Sequence, residues 1–220
     1  MILFNKISLT LVNPRKGHIY YRGKNIYNKR LDWTGLRKKV RLVFQYPETQ
    51  LFKPTVIQDT MYGPLNMGLS EDQARERAQD SLSLVGLDKE LFLANPSELS
   101  GGQKRCVAIA GVLAMQPEVL VLDEPTAGLD PQTVSRIFQV LQDIHRQNNC
   151  AILFVSHRMD EIEQYAKTMW VLHEGRIIME GPPREIFKQD EWKNNFWQVY
   201  SLRCLYPLAR SGNKAPFDFF

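Results

Sequence analysis

The apolar run Val119-Leu120-Val121-Leu122 ends in two adjacent carboxylates, Asp123 and Glu124. Four apolar residues in a row suit a strand buried on both faces of a parallel sheet. Ligands of such sheets bind beyond the carboxyl ends of the strands, which is where both acids stand. Asp123 suits a hard Mg²⁺ ion, held directly or through water. Glu124 suits the holding or activation of an attacking water. A strand ending in acids can equally do no more than meet solvent. A second group, Leu99-Ser100-Gly101-Gly102-Gln103, runs straight into an apolar stretch. Two glycines let backbone N–H groups approach an anion closely, and a helix start adds partial positive charge. Ser100 and Gln103 add side-chain donors, which a plain glycine cap leaves unexplained. His157 follows the apolar run Ile152 to Val155; taken alone, it reads as readily as a packed or surface histidine.

These residues need elements to place them. Val119 to Leu122 and Cys150 to Val155 read as buried strands, and Asp130-Pro131 as a helix start with proline at the first position. Val134, Ile137, Leu141 and Ile144 give that helix its inner face. Ser70-Glu71-Asp72-Gln73 is a capping-box pattern; Ala74, Ala78, Leu82 and Val85 continue it as one apolar face, and Gly86 stops it. Val107 to Met115 is so apolar that its helix is expected to be buried all round. Leu3, Phe4, Ile7 and Leu11 follow helical spacing, ended by Pro14 and Gly17. His18 to Tyr27 reads as strand-turn-strand, and Leu42-Val43-Phe44 as a short buried strand halted by Pro47. Met169 to Leu172 and Arg176 to Met179 flank Glu174-Gly175, a hairpin signal. Strands alternating with helices imply an α/β layered fold with a mainly parallel sheet, and helices dominate from Pro47 to Ala114.

The totals set limits. The chain has 220 residues, 44% hydrophobic and 24% charged, which fits one α/β core with a subdomain. A formal charge of +4 suits an anionic ligand or a membrane-facing surface. The run Arg37-Lys38-Lys39 with Arg41 is expected to be a solvated face leading into a strand, so nucleic acid is not an expected partner. Cys106, Cys150 and Cys204 are scattered, fitting a reducing compartment. No apolar stretch reaches the roughly 18–20 residues needed to span a bilayer. Met1 to Val12 is broken by Asn5 and Lys6, so no signal peptide is expected.

Taken in order, the motifs resemble one family. Leu99 to Gln103 resembles the ABC (ATP-binding cassette) signature, Val119 to Glu124 its Walker B strand, and Ala127-Gly128-Leu129-Asp130 its D-loop. His157 resembles its switch histidine and Gln45 its Q-loop glutamine. Phe44 to Phe52, Tyr62-Gly63-Pro64 with Asn66 and Gly68, and Ala108 to Gly111 resemble the energy-coupling-factor ATPases of vitamin and metal-ion uptake. The likeness spans about residues 9–187. It implies an α/β, P-loop NTPase-like (RecA-like) parallel-sheet core with an inserted helical subdomain, the ABC ATPase fold. Residues 1–187 would form the ATPase domain, with 1–45 as partial core, 46–116 as the helical signature subdomain and 117–187 as core. Residues 188–220 form an aromatic-rich tail (Phe196, Trp197, Tyr200, Tyr206, Phe217, Phe219, Phe220) of no assigned role.

The same resemblance implies ATP and Mg²⁺ as cofactors, bound between two ATPase subunits, identical or different. Glu124 would polarise the attacking water and His157 would hold the γ-phosphate. Asp123 and Gln45 would serve Mg²⁺ and nucleotide, with Gln45 also reporting to a transmembrane partner. Ser100, Gly101, Gly102 and Gln103 would clamp the partner's nucleotide, and Asp130 would link the two sites. Implied partners are a second ATPase subunit, a transmembrane coupling subunit and a substrate-binding membrane subunit, at the cytoplasmic face of the cell membrane.

No segment matches the phosphate-cradling P-loop, G-x-x-x-x-G-K-[ST]. Gly17 to Asn25 comes nearest, but it has five intervening residues and asparagine in the last place, and its Ile and Tyr favour a strand. Counting back from Pro14 and Gly17 places the loop's lysine just before Met1, so a core incomplete at the N-terminus is expected. Cys106 stands where the family usually has arginine. Two readings follow: an ATPase subunit whose start lies further upstream, or a catalytically deficient chain lending its signature to a partner. A repair or translation ABC protein would need coiled-coil arms or tandem cassettes, which do not fit in 220 residues.

Overall fold

A computed structural model of the chain describes residues 19–27, 32–173, 176–189, 200–204 and 217–219. These form two compact units. The first draws on described residues up to Leu42, on Val119–Glu124 and on those from Ala151 onward; the second on Val43–Glu118 and Pro125–Cys150. The N-terminal helix expected around Leu3 to Leu11, its stop at Pro14 and Gly17, the Glu174-Gly175 turn and the aromatics Phe196, Trp197, Tyr206 and Phe220 lie outside the described residues.

In the first unit, β1 (Ile19–Tyr21) and β2 (Lys24–Asn25) make an antiparallel hairpin. Its two-residue turn has φ 50° at Arg22 and 72° at Gly23, the double left-handed geometry that matches strand twist. The described part of the nearest P-loop look-alike, residues 19–25, is thus a hairpin. Asp32 caps α1 (Trp33–Lys39), whose last turn carries Arg37, Lys38 and Lys39, favourably placed at the negative helix end. β3 (Val40–Val43) follows, beginning two residues earlier than expected and ending before Phe44. Arg41 corrects the expected solvated run: its Nε is buried without a hydrogen-bond partner, and burial lowers its pKa.

The larger sheet has the order β3-β4-β5-β8-β6-β7. β4 (Val119–Asp123) and β5 (Ala151–Ser156) pair in parallel, from Val119 opposite Ala151 to Asp123 opposite Val155. Every residue of both strands is buried, as continuous apolar runs require. Val119, Val121, Ala151, Leu153 and Val155 join a core with Tyr21, Ile26, Leu36, Val40 and Trp170. On the alternate positions Leu120, Leu122, Ile152 and Phe154 are wholly buried, each contributing about 1.5–3 kcal/mol. β6 (Thr168–His173) and β7 (Arg176–Gly181) pair antiparallel, the expected hairpin strands. The tail supplies β8 (Tyr200–Cys204), antiparallel to both β5 and β6, so β5 and β6 run the same way. It also supplies β9 (Phe217–Phe219), paired with β1. The sequence had assigned the tail no role; alternation in five residues says nothing about which distant strand will accept them.

The second unit is helical. Thr55 caps α2 (Val56–Asn66), and the Asp59 carboxylate accepts the Phe52 and Lys53 amides at 2.8 and 2.7 Å. α3 (Glu71–Leu84) opens on the expected capping box of Ser70 and Gln73. It closes on Gly86 at φ 79°, with Leu87 N–H donating to Leu82 O at 3.0 Å and Gly86 N–H to Ser83 O at 3.0 Å. α4 (Gly101–Leu113) passes close to α2: a Cβ on Gly111 would sit 3.9 Å from Thr60 Cα, and one on Gly63 would sit 2.5 Å from the Sδ of Met115, just past the end of α4. Full burial of Val107 to Met115 does not hold, because Ala108, Gly111, Val112 and Met115 are half-buried. α5 (Pro131–Asn148) buries Val134, Ile137 and Leu141 as expected, but Ile144 only partly, and ends on left-handed Asn149. α6 (Met159–Tyr165) and α7 (Pro183–Ile186) belong to the first unit. Among the described residues no helix is long and apolar enough to cross a membrane.

Candidate active site

The parallel register of β4 and β5 brings two expected site residues together. With Asp123 opposite Val155, the next residue donates its backbone N–H to Val155 O at 2.9 Å; that residue is Glu124. Glu124 then turns left-handed, at φ 50°, a conformation costing a non-glycine residue roughly 1–2 kcal/mol. Its Oε1 lies 2.9 Å from His157 Nδ1, one residue past the end of β5. The Glu124 side chain is 7% exposed and that of His157 67%. The proton between them belongs on Nδ1, because an ionised carboxylate only accepts. His157 Nε2 is therefore the ring atom not engaged by Glu124. Asp123, 4% exposed, sits at the carboxyl end of β4 beside this pair.

A second layer holds the histidine loop. Ser156 Oγ donates to Glu161 Oε2 at 3.1 Å and accepts from Arg158 N–H at 3.1 Å. Arg158 Nη1 meets Glu161 Oε1 at 3.1 Å, and its Nη2 meets Asp160 Oδ2 at 3.1 Å. Its hydrogen bond to Asp160 raises the Arg158 pKa. Asp160 is pushed up by burial, yet ends below its ordinary value because Arg158 donates to it and carries positive charge. Sequence reasoning missed Ser156, Arg158 and Glu161. The signal was there in Ser156-His157-Arg158 with Glu161 one helical turn on, but such a carboxylate reads as an ordinary first-turn acid.

The signature-like residues lie in the second unit. Ser100 caps α4, its Oγ accepting from Gln103 N–H at 3.2 Å, while Gln103 Oε1 accepts from Ser100 N–H at 2.9 Å. This reciprocal capping box gives the serine and the glutamine partners within the chain and fixes the start of α4. The glycines remain informative. Gly101 is exposed, and a Cβ there would meet nothing within 4 Å. A Cβ on Gly102 would lie 3.4 Å from Leu129 Cδ2, so the turn packs on the D-loop-like segment. Asp130, ending that segment, caps α5 by accepting Gln132 and Thr133 N–H, each at 3.0 Å, and the Thr133 hydroxyl at 2.6 Å. The Thr133 hydroxyl, then its amide, hold the Asp130 carboxyl below its usual range.

Gln45 is exposed and belongs to the second unit. Tyr46 after it is left-handed, φ 62°, with the Arg105 guanidinium 6.0 Å from its ring centre. Cys106 is buried; burial pushes its thiol up to about 11, with Arg136, Asp130 and Arg105 acting on it electrostatically. It is an inert thiol at neutral pH.

Among the described residues, no three His, Cys, Asp or Glu side chains gather as a metal cage. Asp123 fits Mg²⁺ in the other way that ion is held, by one or two carboxylates with water and phosphate oxygens completing the shell.

The first unit thus holds a buried strand ending in Asp-Glu with a histidine on the glutamate carboxylate, and the second a serine-capped helix that opens on two glycines. The family profile described as ABC transporter matches residues 3–127, and the chain belongs to that family. Within it, the chain is similar to energy-coupling factor transporter ATP-binding proteins. It is 48% identical over 181 residues to energy-coupling factor transporter ATP-binding protein EcfA2 of Caldanaerobacter subterraneus, covering 82% of this chain and 63% of that protein. The EcfA2 of Bacillus subtilis is 48% identical over 183 residues, covering 82% and 66%. The chain thus spans a little under two thirds of the length of these curated relatives. Among solved structures, cbiO1 of Clostridium perfringens, part of the ABC transporter complex cbiONQ, superposes with TM-score 0.76 at 38% identity, covering 87% of this chain and 76% of that one. The dimeric cassette MJ0796, in a post-hydrolysis state bound to ADP and Pi, gives 0.74 at 26% identity, covering 83% and 80%.

Proposed function

We propose that this chain is the ATP-binding and hydrolysing subunit of a membrane uptake transporter of the vitamin or metal-ion class. It works within an ATPase dimer at the cytoplasmic face, with a transmembrane coupling subunit and a substrate-binding membrane subunit as its partners. The Glu124–His157 contact of 2.9 Å carries the reading. Glu124 orients and polarises the attacking water while His157 is held by Nδ1, leaving Nε2 for the γ-phosphate. Asp123 and Gln45 serve Mg²⁺, which when bound with ATP neutralises charge on the β- and γ-phosphates. Ser100 to Gln103 faces the partner's nucleotide, and Asp130 bridges toward the other site. Selectivity for the solute lies with the membrane subunit, not with these residues.

The decisive test is ATP turnover of the assembled complex. Glu124→Gln should lower kcat by about 10²-fold or more at unchanged ATP affinity. A second reading, in which the chain only completes its partner's site, is favoured by the exposed Gly101 with open space before it. It requires that Glu124→Gln leave turnover unchanged while Gly101→Ala abolishes it. If neither substitution alters turnover, both readings fail.

A further inference from the structure

We propose that Glu161 is a positioning residue for His157, its buried carboxylate fastening both residues that flank the histidine. This rests on the reading of His157 as a γ-phosphate ligand. Glu161 is 2% exposed and stands in the first turn of α6. A first-turn carboxylate ordinarily faces the free amides or the positive end of its own helix. Here one oxygen takes the Ser156 hydroxyl and the other the Arg158 guanidinium, each at 3.1 Å. Ser156 Oγ also receives the Arg158 amide at 3.1 Å, closing a ring of contacts around the peptide that carries His157. The imidazole itself is 67% exposed, so packing does little to fix it. Its orientation depends on where its backbone is pinned and on the Glu124 contact. With the backbone held on both sides, Nδ1 stays within 2.9 Å of Glu124. A buried carboxylate that has both oxygens bonded is costly to lose, which gives the clamp its rigidity.

Two measurements test this. In the full chain, ¹⁵N NMR of the His157 ring, assigned against His157→Ala, should show the proton on Nδ1. Glu161→Ala should move it toward the Nε2-protonated form that free imidazole prefers. Ser156→Ala, which removes only the bridging hydroxyl, should act in the same direction and serves where Glu161→Ala does not fold. An unmoved ring in either folded variant overturns the proposal. In the assembled complex, Glu161→Ala should lower kcat by about 10- to 100-fold with KM for ATP moving less than about twofold. A raised KM at unchanged kcat also overturns it. Should the unaltered complex hydrolyse no ATP, the functional reading of Glu124 and His157 fails, while the ring measurement still decides the role of Glu161.

Discussion

Replacing Gly101 by alanine should make the chain more stable and less active at once. Gly101 is the first residue of α4, its backbone is not left-handed, and a Cβ there would meet no atom within 4 Å. Folding therefore has no use for a bare Cα at this point. Alanine restricts the unfolded chain, and at a compatible site this contributes about 0.4–1 kcal/mol. For a chain of this size each kcal/mol moves Tm by about 2–4 °C, so Tm should rise by about 1–4 °C. The function asks the opposite. If the helix start approaches a partner's phosphate through its amides, a methyl group occupies the space the anion needs. Loss of preorganised donors to a phosphoryl group then lowers turnover by about 10²- to 10³-fold. The assays are thermal unfolding by circular dichroism on the chain and ATP hydrolysis by the assembled complex. A lower Tm would show that the glycine serves the chain's own packing. Unchanged turnover would refute the anion-facing turn.

Other substitutions separate folding from function. Ser70→Ala removes half of the capping box of α3, costing about 0.5–2 kcal/mol, and should lower Tm by about 1–8 °C without altering turnover. Gly86→Ala forces alanine to φ 79° and should cost about 1–2 kcal/mol, seen as a lower urea midpoint at unchanged m value. Folding lowers the Asp130 carboxyl through the Thr133 hydroxyl and amide. Its stabilisation is complete above the unfolded value of about 3.9 and fades as pH falls through the lower folded value. Thr133→Val should shift that acid limb upward, read from pH-dependent unfolding; an unshifted limb would remove Asp130 from the account.

What the sequence determined by itself was local. Ser70 with Gln73, Ser100 with Gln103 and Asp130 with Pro131 start helices because each cap bonds amides only two or three residues ahead. Val119 to Leu122 and Ile152 to Val155 form buried strands because no charge interrupts them. The motifs likewise disclosed the family, since their order is written along the chain. Whether Ser100 and Gln103 bind a ligand was not legible, because one spacing serves both a capping box and a phosphate clamp.

Only the tertiary structure decided which residues meet. Glu124 and His157 are far apart in sequence, and one step of strand slippage between β4 and β5 would part them. Their 2.9 Å contact follows from pairing Asp123 with Val155. The same holds for Glu161, whose burial sets its partners, and for Tyr200–Cys204, which pairs between β5 and β6. Residue type limits what a side chain can do, but register and burial choose its neighbour, and those are set by the packing of the whole core.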